Sequence, residues 1–418
     1  MHGLLHSTPG TFSALTNTKP QLKRRRDGAF IPMDQSVRIV PTKKNTRVLI
    51  VGMLDSIHVV NWLRHHTDTQ IDILLFPSSP MRRMHPQLTE VIKSSQAARI
   101  RVVPGSNMFS LPLWLADQIC GNLFRASLLG IAIRLFRPQI VHAIELQNAG
   151  YLTSRVFRVL RGEKPIFVAT NYGSDIFWFG RKPKHAKLLR ELLSQVDRYA
   201  AECSRDVQLA RNFGFQGQVL PVRPNAGGFS QFDLVATPAP AENRRLIMVK
   251  GYHGWVGRAR IAVDALELIA EEIRDFEILF FSCNLITLIS ARGMARRTGL
   301  KVTALGKGAL SHNEMLDKFS EAIVYVGLSL SDGISTSMLE AMAMGAIPVQ
   351  TSTACCDEWF SDTGVAIHNL DAGEVSHGIR TAIGLALTTD SAAKNMETIR
   401  ARASREEIAK HALAFYQL

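Results

Sequence analysis

Short apolar runs rich in β-branched residues recur along the chain. Longer stretches with apolar positions every three or four residues separate them. Residues 47–53 (RVLIVGM), 71–76 (IDILLF), 100–103 (IRVV), 140–143 (IVHA) and 165–170 (PIFVAT) form a first series, with a predicted helix over 57–66 after the first run. Runs this short and this uniformly apolar suit parallel strands buried on both faces. Their alternation with helical stretches predicts βαβ units. The pattern stops at the Pro- and Gly-rich residues 221–228 and at 236–241 (ATPAPA), which read as a linker. It restarts at 245–249 (RLIMV) and continues through 276–281, 302–305, 323–326 and 347–350. The prediction is an α/β chain of two Rossmann-like, doubly wound domains, 46–235 and 245–395, with their strand ends facing a shared cleft. A final helix, read over 393–415 and assigned to the segment 396–418, closes the chain.

Residues 109–136 are the most apolar helical stretch. Asp117, Arg125 and Arg134 interrupt it, so it falls short of the roughly 18 uncharged residues of a membrane span. Trp114, Leu115, Ile119, Leu123, Leu128 and Leu129 recur at helical spacing, which fits either a core-facing helix or one lying on a membrane or acceptor.

At 418 residues the chain exceeds what one core usually serves. Its 46% apolar and 20% charged residues exclude a wholly disordered chain, a collagen and a coiled coil. The formal charge of +13 calls for an anionic partner: nucleotide phosphates, nucleic acid or a membrane face. Much of it lies in residues 1–45, predicted as a basic flexible tail, where eight lysines and arginines face only Asp27 and Asp34. Nucleic acid is not expected, because no helix-turn-helix, zinc-finger or RNA-recognition signature accompanies the charge. The five cysteines contain no C-x-x-C, so neither a disulfide framework nor a cysteine zinc site is expected. With no continuous apolar run in residues 1–20, the reading is a cytoplasmic protein.

The candidate chemistry concentrates in residues 328–351, LSLSDGISTSMLEAMAMGAIPVQT. A strand ends, the chain turns at Asp332-Gly333, and a helix starts near Ser335, Thr336 and Ser337. Free N–H groups there, at the positive end of the helix dipole, make an anion site. Ser337-x-x-Glu340 is also a capping-box pattern, which would turn Glu340 toward its own backbone.

Asp332-x7-Glu340 followed by EAMAMGAIPV resembles the donor site of the retaining GT-B glycosyltransferases, in particular glycosyltransferase family 4, with Asp at the first acid where the family has Glu. The resemblance implies a GT-B fold, with Asp332 near the transferred sugar and Glu340 on the nucleotide ribose. Residues 171–176 (NYGSDI) resemble the family's G-S-D-I loop. There Gly173 allows close backbone approach, and Asp175 either bonds a hydroxyl or caps the next helix. Residues 196–204 (VDRYAAECS) and 222–228 (VRPNAGG) resemble the strand and turn that lead to the linker. Lys250 and Arg258, in KGYHGWVGRAR, stand where the family places its phosphate-binding cations, in a different order and spacing. Gly306 is assigned to the donor side with Ser335, Thr336, Ser337 and Glu340. His142 and Glu145 match part of the family's His-x-His-Glu, with Ile144 at the second His. His142 is expected to steady the sugar. His58, Trp62, Glu145 and Gly173 are expected on the acceptor side. The implied activity is transfer from a nucleotide-sugar to a glycan, lipid-linked or small-molecule acceptor, with retention and without a metal or other cofactor. Peripheral contact with an anionic membrane face goes with it. The alternative is a catalytically silent nucleotide-sugar-binding or scaffold protein, favoured by the altered acid, the missing His and the rearranged cation motif.

Overall fold

The computed structural model describes residues 46–79, 84–104, 115, 117, 119–120, 123–225, 228–229 and 238–418. The tail and Trp114 lie outside them. Two all-parallel sheets carry the structure. The first has seven strands in the order β3-β2-β1-β4-β5-β6-β7. These are β1 (Thr46–Gly52), β2 (Ile71–Pro77), β3 (Arg99–Val102), β4 (Ile140–Ile144), β5 (Ile166–Thr170), β6 (Arg198–Ala200) and β7 (Gln218–Val219). The second has six in the order β10-β9-β8-β11-β12-β13: β8 (Leu246–Lys250), β9 (Glu277–Cys283), β10 (Lys301–Gly306), β11 (Ala322–Gly327), β12 (Ile347–Thr351) and β13 (Val365–Ile367).

Each sheet reverses its winding once, between β1 and β4 and between β8 and β11. Such switch points open a crevice at the carboxyl ends of the strands. The continuous apolar runs follow from burial on both faces. In β1, Val48 and Ile50 enter one core while Leu49 and Val51 enter the other. The edge strands β7 and β13 have no such run. Gln218 is exposed and Val365 and Ala366 are only half-buried, so backbone pairing rather than an apolar signal marks them as strands.

The end of the chain corrects one expectation. Instead of a single helix there are two, Ser391–Ala403 and Arg405–Ala414. Ser404 is extended (φ −62°, ψ 154°), and its hydroxyl accepts from Glu407 N–H at 3.4 Å. Phe229 N–H donates to Ala403 O at 3.0 Å, and Arg405 N–H donates to Phe229 O at 2.8 Å. This pairing stops the first helix and turns the second. Ile399 and Ala403 pack on the second domain, whereas Ala412, Phe415 and Tyr416 pack into the core of the first. The last helix therefore belongs to the first sheet.

In the helix Leu123–Phe136, Leu129, Ala132 and Ile133 are buried, but Leu123, Phe124, Leu128, Ile131 and Leu135 are exposed. Among the described residues no helix is long and apolar enough to cross a membrane.

Candidate active site

A cleft of about 730 Å³ opens at the carboxyl ends of both sheets. Its second-domain wall is built on the segment after β11. The helix Thr336–Ala343 starts at Ser335, not Ser337, and the capping box does not form. Glu340 Oε1 instead meets His312 Nε2 of the neighbouring helix at 2.9 Å. The hydroxyls of Ser335, Ser337 and Tyr325 bond one another at 2.9–3.2 Å around the helix start. Lys250, the last residue of β8, crosses the switch point and brings Nζ to 3.4 Å from Ser335 Oγ and 3.9 Å from Asp332 Oδ2. Burial works against the Lys250 charge, but Tyr325, Asp332 and Glu340 outweigh it and the net shift is upward. Lys250 is the one Lys or Arg among the described residues lining the cleft.

Asp332 is held from several sides. Its Oδ1 accepts from Gly333 N–H at 3.0 Å, and its own N–H donates to Thr353 O at 3.3 Å. The Arg205 guanidinium of the first domain donates to Asp332 O at 2.8 Å. Burial raises the Asp332 carboxyl, and Lys250 opposes the shift. Gly173 faces it from the first domain at φ 47°, where a Cβ would lie 3.5 Å from Asp332 Oδ1.

Glu145 and Asp175 form the first-domain floor. Glu145 has an unusual backbone (φ 78°, ψ 150°) and accepts from Asn148 and Ala149 N–H, capping the single π turn Leu146–Gly150. Burial raises its carboxyl to about 6 against those bonds. Asp175 caps no helix. It accepts from Leu146 N–H at 2.9 Å and Tyr172 N–H at 3.2 Å, tying two loops together. Burial, and then the Glu145 charge, push it well above the usual carboxylate range. His58 lines the cleft with its ring 4.9 Å from Tyr172, and burial lowers its pKa.

No family model and no curated protein sequence matches the chain. Solved structures do. A glycosyltransferase from Rickettsia africae superposes with a TM-score of 0.64 at 16% identity, covering 90% of this chain and 98% of that one. Sucrose-phosphate synthase from Thermosynechococcus elongatus gives 0.61 at 13%, covering 87% and 96%. HepE from Anabaena, solved in complex with UDP, gives 0.61 at 13%, covering 87% and 97%. The chain has the GT-B fold.

Within this GT-B cleft, four expected residues are elsewhere. His142 is fully buried in β4, with Nδ1 2.9 Å from Tyr416 Oη and Nε2 2.7 Å from Thr170 Oγ1. Burial depresses its pKa to about 3, so it stays neutral and sits in the core rather than against a sugar. Trp62 is likewise buried, its indole N–H donating to Tyr416 Oη at 2.8 Å, and it does not reach an acceptor. The Arg258 guanidinium folds back onto Gly254 O and Gly257 O, both at 2.7 Å, closing its own loop instead of meeting Lys250. Gly306 ends β10 away from the cleft lining.

Among the cleft residues that the sequence did not single out, His312 and Glu202 carry acid–base chemistry. His312 follows Ser311, whose capping box with Glu314 is legible as S-x-x-E. That pattern gives the helix start but not the direction of the imidazole. For the other, the signal in the sequence is Glu202 itself, a charge in the apolar segment that follows β6. Its Oε1 accepts from Asn225 N–H at 3.0 Å, and Oε2 faces Gly333. Burial raises its carboxyl to about 8. Glu202 thus favours its protonated form at neutral pH, beside Asp332. The folded chain keeps this proton up to about 8, whereas the unfolded chain releases it near the ordinary 4.5. Its stabilising contribution is therefore complete below about 4.5 and declines through about 8, by up to ~1.4 kcal/mol per pH unit. Urea unfolding across this window should show the decline in the wild type and a flatter profile in Glu202→Gln. Equal slopes would remove the assignment.

Proposed function

We propose that the chain is a retaining glycosyltransferase of the family 4 type that moves a sugar from a nucleotide-sugar to a glycan, lipid-linked or small-molecule acceptor. The observation that carries this reading is the meeting of Lys250 Nζ with the start of the helix Thr336–Ala343, with Asp332 beside them. A leaving nucleoside diphosphate needs such a concentration of positive potential, and a lysine with a helix N-terminus supplies it without a metal. Glu340 lies one turn further along the helix, where it suits a ribose hydroxyl. Neighbouring HepE has been solved with UDP and with UDP-glucose, which supports a nucleotide-sugar ligand.

In the proposed step the bond between the anomeric carbon and the phosphate oxygen breaks with oxocarbenium character. The acceptor oxygen attacks from the face the phosphate leaves, and its proton passes to a phosphate oxygen. No strong protein base is required. Asp332 and the neutral Glu202 orient sugar hydroxyls. The exposed apolar residues Leu123, Phe124, Leu128, Ile131 and Leu135 support peripheral contact with a membrane that carries a lipid-linked acceptor.

UDP-, GDP-, ADP- and CMP-sugars should be screened by thermal shift, and the stabilising donor then followed by NMR. Slow donor hydrolysis should first release the sugar in the donor's own anomeric configuration. Asp332→Asn should mainly lower kcat, and Glu340→Gln should mainly raise the donor KM. Release of the opposite anomer would refute retention. Binding without turnover under any condition would favour the catalytically silent alternative.

A further inference from the structure

The loop after β12 passes through Cys355 at φ 51°, ψ 32°, left-handed backbone that a residue with a side chain adopts at a cost. This turn sets Cys355 of the second domain opposite Cys203 of the first, the residue preceding the helix Ser204–Asn212. Both side chains are buried. Glu358 completes the group: the two sulfurs and a Glu358 carboxylate oxygen all lie within 4.8 Å of one another. Ser204 orients that carboxylate, its N–H donating to Oε1 at 2.8 Å and its hydroxyl to Oε2 at 3.4 Å. None of the three residues lines the cleft.

We propose that Cys203, Cys355 and Glu358 form a binding site for zinc or a similarly thiophilic divalent cation, with water in the fourth position, and that the bound ion staples one domain to the other. Two thiolates and a carboxylate are a donor set that suits zinc. A tetrahedral ion at ordinary bond lengths needs ligand separations of about 3.5–3.8 Å, so closure takes only movements of about an ångström. The charges also balance. Three anionic ligands around a divalent ion leave one negative charge, and the Arg205 guanidinium is close enough to interact with both sulfurs. Arg205 is fixed there by Asp206 Oδ1 at 2.8 Å, Thr353 O at 2.7 Å and Asp332 O at 2.8 Å. The neighbouring Cys355 side chain, and then burial, raise the Cys203 thiol; zinc takes cysteine as the thiolate, so binding releases protons. The absence of a C-x-x-C is no obstacle, since the ligands come from two domains. Through Arg205 and Thr353 the site also adjoins the backbone of Asp332.

The test uses the full chain, stripped of metal and kept reduced without oxygen, titrated with Co²⁺ and then Zn²⁺. One Co²⁺ per chain should bind, with thiolate-to-cobalt charge-transfer absorption in the near ultraviolet, and equimolar Zn²⁺ should displace it. Cys203→Ser and Cys355→Ser should lose the absorption, while Cys120→Ser and Cys283→Ser keep it. Glu358→Gln should keep the band with affinity lowered at least about tenfold. Cys355→Gly suits the left-handed backbone, so it should fold even where a serine variant does not, and it should still lose the band. A wild type with no charge-transfer band overturns the proposal, as does a band that survives in Cys355→Gly or a disulfide formed in place of metal binding.

Discussion

Replacing Lys250 by Ala is expected to lower kcat/KM for the donor by about 10²–10³, the scale of removing one preorganised charge stabiliser from a transition state. Affinity for the nucleoside diphosphate alone should fall by about 1.5–3 kcal/mol, as for a hydrogen bond to a charged group. Lys250 is singled out because no other Lys or Arg among the described residues lines the cleft. Its ammonium faces both Ser335 at the helix start and the Asp332 carboxylate. Removing it also takes the ion-pair partner at 3.9 Å from Asp332, so both the anion site and the sugar site change. Arg258→Ala is the matched control. That guanidinium serves the carbonyls of its own loop, and its loss should change donor affinity by less than about threefold, within the range of a surface change. Steady-state kinetics with calorimetry on the two variants checks the contrast. A larger effect at Arg258 than at Lys250 would return the phosphate site to that loop.

Tyr416→Ala is expected to destabilise the chain by about 4–6 kcal/mol, combining the loss of a buried aromatic ring with stranded polar partners. Tyr416 Oη accepts from the Trp62 indole at 2.8 Å and lies 2.9 Å from His142 Nδ1. The ring packs with Phe415 and Trp62 in the core of the first domain. Tyr416→Phe keeps the ring and should cost only about 1–3 kcal/mol. Urea unfolding of both variants measures the difference. His142→Ala belongs with them: it should lose stability while keeping kcat and the donor KM at temperatures where it remains folded. A stable His142→Ala with collapsed turnover would instead return His142 to the reaction.

How much was legible in the sequence follows from where the information lies. The central strands announce themselves because both faces are buried, so their apolar runs are unbroken. The helix start at Ser335 and the strand-end Lys250 were legible for the same local reason, since a strand end followed by small residues and a helix positions both. What the sequence does not carry is contact across the chain. Ser404 reads as a tolerated helix residue until Phe229 pairs with the backbone on either side of it. His142 at a strand end is compatible with cleft or core, and Tyr416, far away in sequence, decides it. Glu145 and Asp175 were placed at the site by motif, but only the structure shows their carboxylates engaged with backbone N–H groups. Glu202 stands as one charge in an apolar segment, and only its burial beside Asp332 marks it as an acid of the cleft.

Calorimetric titration of the full chain with UDP, GDP, ADP and CDP, repeated on a Lys250→Ala, Glu340→Gln double variant, measures the donor site directly. One of the four should bind the wild type with a stoichiometry of one, and the folded double variant should bind it at least about tenfold more weakly, in keeping with the loss of a charged and a neutral hydrogen bond. Absence of binding by all four, or equal affinity in the double variant, would contradict the donor-site assignment.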